Sequence, residues 1–133
     1  MPHKILVVDS AESTRHFTRY VLTNVGFRVT SVTNARDALE LVSEESFAAI
    51  ITDVLNEEFE GIEMVQKIRS VDGFETLPIL MITLCNLESA KQQAEAAGVT
   101  AWFTKPVPAK KLVEIIKDVC ADMDDDEDIP MLY

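Results

Sequence analysis

Basic residues are scarce in this chain: 12 Lys and Arg stand against 23 Asp and Glu, a formal net charge of -11. A surface so acidic repels nucleic-acid phosphate, which counts against binding DNA or RNA. It favours solubility and partners with basic patches. Cysteine is nearly absent. Cys85 and Cys120 make no zinc-like spacing with His3 and His16, and nothing in their placement suggests a disulfide scaffold. Two thiols in a reducing cytoplasm are the expectation. No apolar run reaches transmembrane length, and one lysine followed by a short apolar run is a poor signal peptide. Neither a membrane span nor export is expected. No glycine-rich loop follows the first apolar run, which counts against a dinucleotide site or a P-loop.

What is present is a single domain's worth of alternating elements. The 133 residues, 47% of them hydrophobic, suffice to bury a substantial core. Short β-rich runs occur at Ile5 to Val8, Phe27 to Val32, Ala48 to Ile51, Ile79 to Ile82 and Ala101 to Phe103. The first, third and fourth are almost continuously apolar, as parallel strands covered on both faces are. Helical stripes lie between them: Phe17, Val21 and Val25; Ala35, Ala38, Leu39 and Val42; Ile62, Val65 and Ile68; Leu87, Ala90, Ala94 and Ala97; Leu112, Ile115, Ile116 and Val119. Gly26 and Gly98 follow the first and fourth as stop signals. Five strands alternating with five helices predict an α/β fold, a doubly wound five-stranded parallel sheet. The domain is expected over residues 1–121. In residues 122–133, six of the seven from Asp122 to Asp128 are acidic, so an acidic, mobile C-terminal tail is expected there.

In open α/β sheets ligands bind beyond the carboxyl ends of the strands. Asp9 ends the first run, Asp53 follows the third, Thr83 ends the fourth, and Lys105, followed by Pro106, lies just after the fifth. Two carboxylates, a hydroxyl and an ammonium therefore converge on one edge. A carboxylate can attack a phosphoryl group to form an acyl phosphate. A hard divalent cation on oxygen ligands would neutralise the developing charge, and Lys105 and Thr83 would contact phosphoryl oxygens. Singly, each residue has a plainer role, an Asp after a strand being often a helix cap. The placement of all four together argues for chemistry.

With "ILVVD", "IITD" and Gly61 eight residues after Asp53, "PILMIT", and "KP" twenty-two residues after Thr83, the chain resembles the response-regulator receiver family, of flavodoxin-like, chemotaxis-regulator type. The resemblance runs from about Lys4 to Cys120. It implies a single-domain response regulator of two-component signal transduction, without enzymatic turnover of its own. Asp53 would accept a phosphoryl group from a histidine kinase or phosphotransfer protein, and a downstream protein target would read the result by contact. It further implies Mg2+ held by Asp9, Asp53, the Leu55 backbone carbonyl and the residue at Ser10. Thr83 would be the switch hydroxyl, Lys105 the phosphate-sensing lysine and Trp102 the aromatic switch residue, with a cis Lys105–Pro106 bond.

Four positions depart from the family's pattern. Ser10 stands where a second acid is usual, Leu84 where a small residue follows the switch hydroxyl, Asn56 and Glu57 where Met-Pro is usual, and Leu55 where a polar residue is frequent. Loss of one carboxylate near a divalent ion weakens Mg2+ binding by about tenfold or more, because two unit charges about 4 Å apart interact by about 4 kcal/mol at an effective dielectric near 20. Ser10 is alternatively a helix N-cap. Leu84 either covers Asp53, slowing phosphorylation and hydrolysis, or packs outward on the next helix. Glu12, Glu57 and Glu58 are candidate compensating acids. Cys85 is a weak redox candidate, since acidic surroundings raise a thiol's pKa, and His3 and His16 read as surface residues. The alternative to a phosphorylated regulator is a pseudo-receiver that binds protein constitutively. A small-molecule enzyme on the same fold is the third reading.

Overall fold

The computed structural model describes residues 3–128, and of residues 122–128 the backbone alone. The elements alternate without exception: β1 Lys4–Val8, α1 Glu12–Thr23, β2 Arg28–Val32, α2 Ala35–Glu44, β3 Ala49–Thr52, α3 Glu60–Arg69, β4 Ile79–Thr83, α4 Glu88–Ala97, β5 Ala101–Thr104 and α5 Ala109–Asp128. All strands are parallel, in the order β2-β1-β3-β4-β5. This is the doubly wound, flavodoxin-like architecture the alternation predicts. Its winding reverses between β1 and β3, and that reversal opens the crevice where ligands bind in such sheets.

Period-two alternation along each strand divides the core into two layers. Leu6, Val8, Ile50, Ile79 and Met81 face α2, α3 and α4, packing with Val42, Ile62, Val65, Ile68, Ala90 and Ala94. Ile5, Val7, Ile51, Leu80 and Ile82 face α1 and α5, packing with Val21, Leu22, Leu112, Ile116 and Cys120. Both faces of the sheet are covered, which is why the central strands carry almost no polar residue before their last position.

Some helical faces differ from the expected stripes. In α1 the buried residues are Thr18, Val21 and Leu22, so the inward face is rotated from the Phe17–Val21–Val25 stripe. Phe17 stays 44% exposed and Val25 lies beyond the helix end. In α4 Ala90, Ala94 and Ala97 face inward, but Leu87 is the exposed N-cap residue. Spacing by four fits either of two adjacent faces of a short helix, and packing selects one. The last helix, α5, carries its helical path through residues 122–128, the stretch expected as a tail. Residues 129–133 of that expectation lie outside the described residues.

Arg69, the last residue of α3, ties three elements together. Its Nε donates to the Gly98 carbonyl (3.0 Å) and its Nη1 to the Phe74 carbonyl (2.7 Å). The guanidinium thus sits at the carbonyl end of α4, where the helix dipole favours a cation. Gly98 adopts φ +103°, and a Cβ there would lie 3.0 Å from Arg69 Nε. The left-handed turn and the arginine together require the glycine. Among the described residues no helix is long and apolar enough to cross a membrane.

Candidate functional site

Registry places the site. Val8 of β1 pairs with Thr52 of β3, and the ladder continues one step further, with the Asp53 N–H donating to the Val8 carbonyl (3.1 Å). Asp9 and Asp53 therefore leave the sheet side by side at the point where its winding reverses. Thr83 ends β4, and the Lys105 N–H donates to the Thr83 carbonyl (2.8 Å), which brings the lysine back over the edge. The Lys105–Pro106 peptide is cis.

The four side chains form one network. Lys105 Nζ lies 2.8 Å from Asp9 Oδ2 and 3.1 Å from Asp53 Oδ2. The Thr83 hydroxyl donates to Asp53 Oδ1 and accepts the Cys85 N–H at 3.1 Å. Asp53 Oδ1 also accepts the Val54 N–H (2.6 Å), and Asp9 Oδ1 accepts the Ala11 N–H (2.9 Å). Arg15 Nη1 donates to the Asp9 carbonyl (2.8 Å), which braces that corner. Burial pulls the Lys105 pKa down, but hydrogen bonding and charge from Asp9 and Asp53 outweigh it and hold the ammonium above its ordinary value. Two carboxylates against one ammonium leave the network with an excess of negative charge.

The loop after β3 is strained. Leu55 (φ 79°) and Phe59 (φ 58°) both take left-handed backbone, unfavourable for bulky side chains. Gly61 explains how α3 comes so close: its N–H donates to the Val54 carbonyl (2.8 Å), and a Cβ would fall 2.0 Å from the Asp53 carbonyl oxygen. An open cavity of about 370 Å³ lies beside Asp53, lined by Leu55, Asn56, Glu57, Phe59, Leu84 and Leu87 among others.

The positions that depart from the family's pattern have definite places. Ser10 is exposed and does not cap α1, whose N-cap residue is Ala11, without a side-chain bond. Asp9 closes that turn instead, so the capping expectation for Ser10 fails. Leu84 is 73% exposed and borders the cavity beside Asp53. Among the described residues no third acid, histidine or cysteine joins Asp9 and Asp53 in a metal-ligating group, so Glu12, Glu57 and Glu58 do not complete one. Glu12 instead lies 3.8 Å from His16 on the exposed face of α1. Trp102 sits on β5, on the α2–α4 side of the sheet. Its Nε1 is buried without a hydrogen-bond partner, and Lys91 Nζ lies 6.0 Å from its ring centre. The residues that reading the sequence misses are mostly backbone donors, at Ala11, Val54 and Cys85, for which no side-chain pattern exists. Arg15 had a signal: it is a cation near a helix N-terminus, where the dipole disfavours one.

The donors present suit a hard cation: two carboxylates converge on a single positive centre, with oxygen donors only. They fit Mg2+ with one acid fewer than the family's usual set.

Comparison with known proteins agrees with this fold. The response regulator receiver domain family matches residues 5–117. An uncharacterized 14.6 kDa protein from the sodA1 3' region of Leptolyngbya boryana is 34% identical over 116 residues, covering 87% of this chain and 88% of that one. Other curated relatives are longer proteins, of which the chain spans 16 to 47%. Among solved structures, the chemotaxis response regulator CheY4 of Vibrio cholerae superposes with a TM-score of 0.82 at 30% identity, covering 90% of this chain and 99% of that one. The receiver domain of the Pseudomonas aeruginosa sensor histidine kinase PA1611, solved with a magnesium ion in its active-site cleft, shares the fold at a TM-score of 0.82 and 21% identity, over 91% and 99% of the two chains. The chain belongs to the response regulator receiver domain family, and its role is that of a response regulator in two-component signalling.

Proposed function

We propose that Asp53 is the phosphoryl acceptor, and that a histidine kinase or a phosphotransfer protein donates the group. The observation that carries this is the unequal exposure of the two acids. The Asp53 side chain is 16% exposed and borders an open cavity, whereas that of Asp9 is 4% exposed and held between Lys105 and the Ala11 N–H. Asp53 is the one an incoming phosphorus can reach. An Asp53 carboxylate oxygen forms a bond to phosphorus as the P–N bond of the donor's phosphohistidine breaks. The imidazole leaves with the bonding pair and takes a proton from solvent. Lys105 then serves as counter-ion to the transferred oxygens, and the Thr83 hydroxyl turns from the carboxylate to the phosphoryl group.

Receiver domains bind Mg2+ in this cleft, which supplies neutralisation of the charge on the transferring group. Asp9 and Asp53 would hold it here, with the Leu55 carbonyl and, weakly, Ser10. A bulky Leu84 beside Leu55 and Leu87 narrows the approach of water to the acyl phosphate and prolongs its life. The output reaches a downstream protein target through Thr83, Trp102 and the α4–β5 face, and the protein works in the cytoplasm.

Intact mass after incubation with Mg2+ and acetyl phosphate tests the assignment. Wild type gains one phosphoryl group and Asp53→Asn gains none. Wild type that stays unlabelled with every donor, while Ser10→Asp with Leu84→Ala becomes labelled, would replace this reading with that of a constitutive protein-binding module.

A further inference from the structure

Six large apolar side chains stand exposed among the described residues, and two of them, Leu84 (73%) and Leu87 (54%), border the cavity beside Asp53. A single exposed leucine needs no explanation. Two on one short loop, next to the acid proposed as phosphoryl acceptor, do. That loop is held in place relative to the acid: the Cys85 N–H donates to the Thr83 hydroxyl (3.1 Å), and the same hydroxyl donates to Asp53 Oδ1. The loop after β3 adds half-buried Leu55 and Phe59, the two residues in left-handed backbone. Four large apolar side chains thus line a cavity of about 370 Å³.

The charges on this lining are of one sign. Among the described residues, Glu57 is the only charged side chain on it besides Asp53, and it is exposed. Lys105, the ammonium in contact with Asp53, is not part of the lining. Phosphoryl transfer runs roughly in line, so the group departing from phosphorus lies on the side away from Asp53, in the open cavity. An acyl phosphate releases a carboxylate, whose developing negative charge meets Glu57, apolar side chains and no cation. A phosphoimidazole releases a ring that takes a proton and leaves neutral. Such a ring has an apolar body, which gains by lying on leucine.

We propose that Leu84 and Leu87 determine specificity for the phosphoryl donor: they seat a flat, uncharged leaving group, the imidazole of a phosphohistidine, and with Glu57 they select against donors that release an anion. The inference rests on Asp53 as the acceptor. An Asp53 oxygen bonds to phosphorus as the P–N bond breaks, and the ring leaves across the two leucines with the bonding pair, gaining its proton from solvent.

Three small donors separate ring contact from charge. Phosphoimidazole releases a neutral ring, phosphoramidate releases ammonia, which is neutral and small, and acetyl phosphate releases an anion. Initial rates of phosphoryl incorporation into the full chain are read by intact mass at one fixed Mg2+ concentration. Each is expressed as a ratio to the phosphoramidate rate of the same variant, which cancels changes at Asp53 itself. Leu84→Ala with Leu87→Ala lowers the phosphoimidazole ratio by about fivefold to tenfold, through loss of apolar contact, and Leu84→Met with Leu87→Met retains it. Both leucines are exposed, so these substitutions spare the fold. Glu57→Gln raises the acetyl phosphate ratio by about 1.5-fold to fivefold, the reach of one exposed charge, without raising the phosphoimidazole ratio. A phosphoimidazole ratio that the alanine pair leaves level or raises, or an acetyl phosphate ratio that Glu57→Gln does not raise, overturns the proposal while phosphoramidate labelling still upholds Asp53 as acceptor. Wild type that no donor labels, or Asp53→Asn labelled as fast as wild type, overturns the assignment of Asp53 and this proposal with it.

Discussion

Asp9 and Asp53 leave adjacent strands side by side and share one lysine, yet the corners around them are built differently. The β1–α1 corner is relaxed: Asp9 closes its own turn on the Ala11 N–H, and Arg15 braces the carbonyl. The β3–α3 corner is strained, with Leu55 and Phe59 in left-handed backbone and Gly61 pressed against Asp53. Strain of this kind persists only where surrounding structure imposes it. One acid is an anchor for charge; the other, though hydrogen-bonded at both oxygens, is the more exposed and has an open cavity beside it. The difference teaches that two identical side chains acquire separate roles from their loops, with no help from their strands.

The sharpest break in that comparison is to neutralise each acid in turn. Asp53→Asn abolishes the phosphoryl adduct in intact mass, whereas Asp9→Asn slows labelling without removing it. Equal loss from both would erase the distinction between presented and anchoring acid. Gly61→Ala attacks the strained corner alone. A Cβ 2.0 Å from the Asp53 carbonyl oxygen forces the backbone apart, at a cost of about 1–3 kcal/mol typical of overpacking, and misplaces Asp53. Chemical denaturation reads the first effect and the labelling rate the second. Ser10→Asp adds charge to the relaxed corner, and Mg2+ affinity rises by about tenfold or more on the Coulomb estimate, read by titration against Trp102 fluorescence.

The ion pair that joins the corners gives a pH signature. The folded-state pKa of Lys105 is raised above 10.5, so its contribution to stability is complete below that pH and is lost as pH rises through the raised value. The difference in denaturation midpoint between wild type and Lys105→Met therefore stays level through neutral pH and narrows only above about pH 10.5. The smallest effect belongs to Leu84→Ala. The side chain is 73% exposed, so stability changes by less than about 0.5 kcal/mol, while the acyl phosphate formed on Asp53 hydrolyses faster, as loss of radiolabel shows.

Much of this was legible beforehand. Continuous apolar runs ending in Asp9, Asp53 and Thr83 announce buried parallel strands with polar tips, because a fully covered strand can place a polar side chain only where it leaves the sheet. Lys105 was legible through its place after the fifth run. The loops were not. Nothing marks Leu55 or Phe59 for positive φ, since neither is a glycine or an asparagine. Gly61 stood out as part of a motif, but its reason, the close approach of α3 to the Asp53 carbonyl, exists only in three dimensions. Ser10 misled as a cap because serine caps well in general, and here the preceding carboxylate reached the turn first. Phe17 misled because four-residue spacing does not distinguish neighbouring helical faces.

The Val8–Thr52 pairing has one further consequence. Adjacent strands are held about 4.8 Å apart by their hydrogen-bond ladder, so the sheet acts as a gauge that sets the separation of the two acids before any loop is placed. A slip of one residue would turn one carboxylate to the opposite face. The electrostatics of the site are thus calibrated by the stiffest part of the molecule, and the phosphoryl transfer proposed for Asp53 would be performed on a fixed scale.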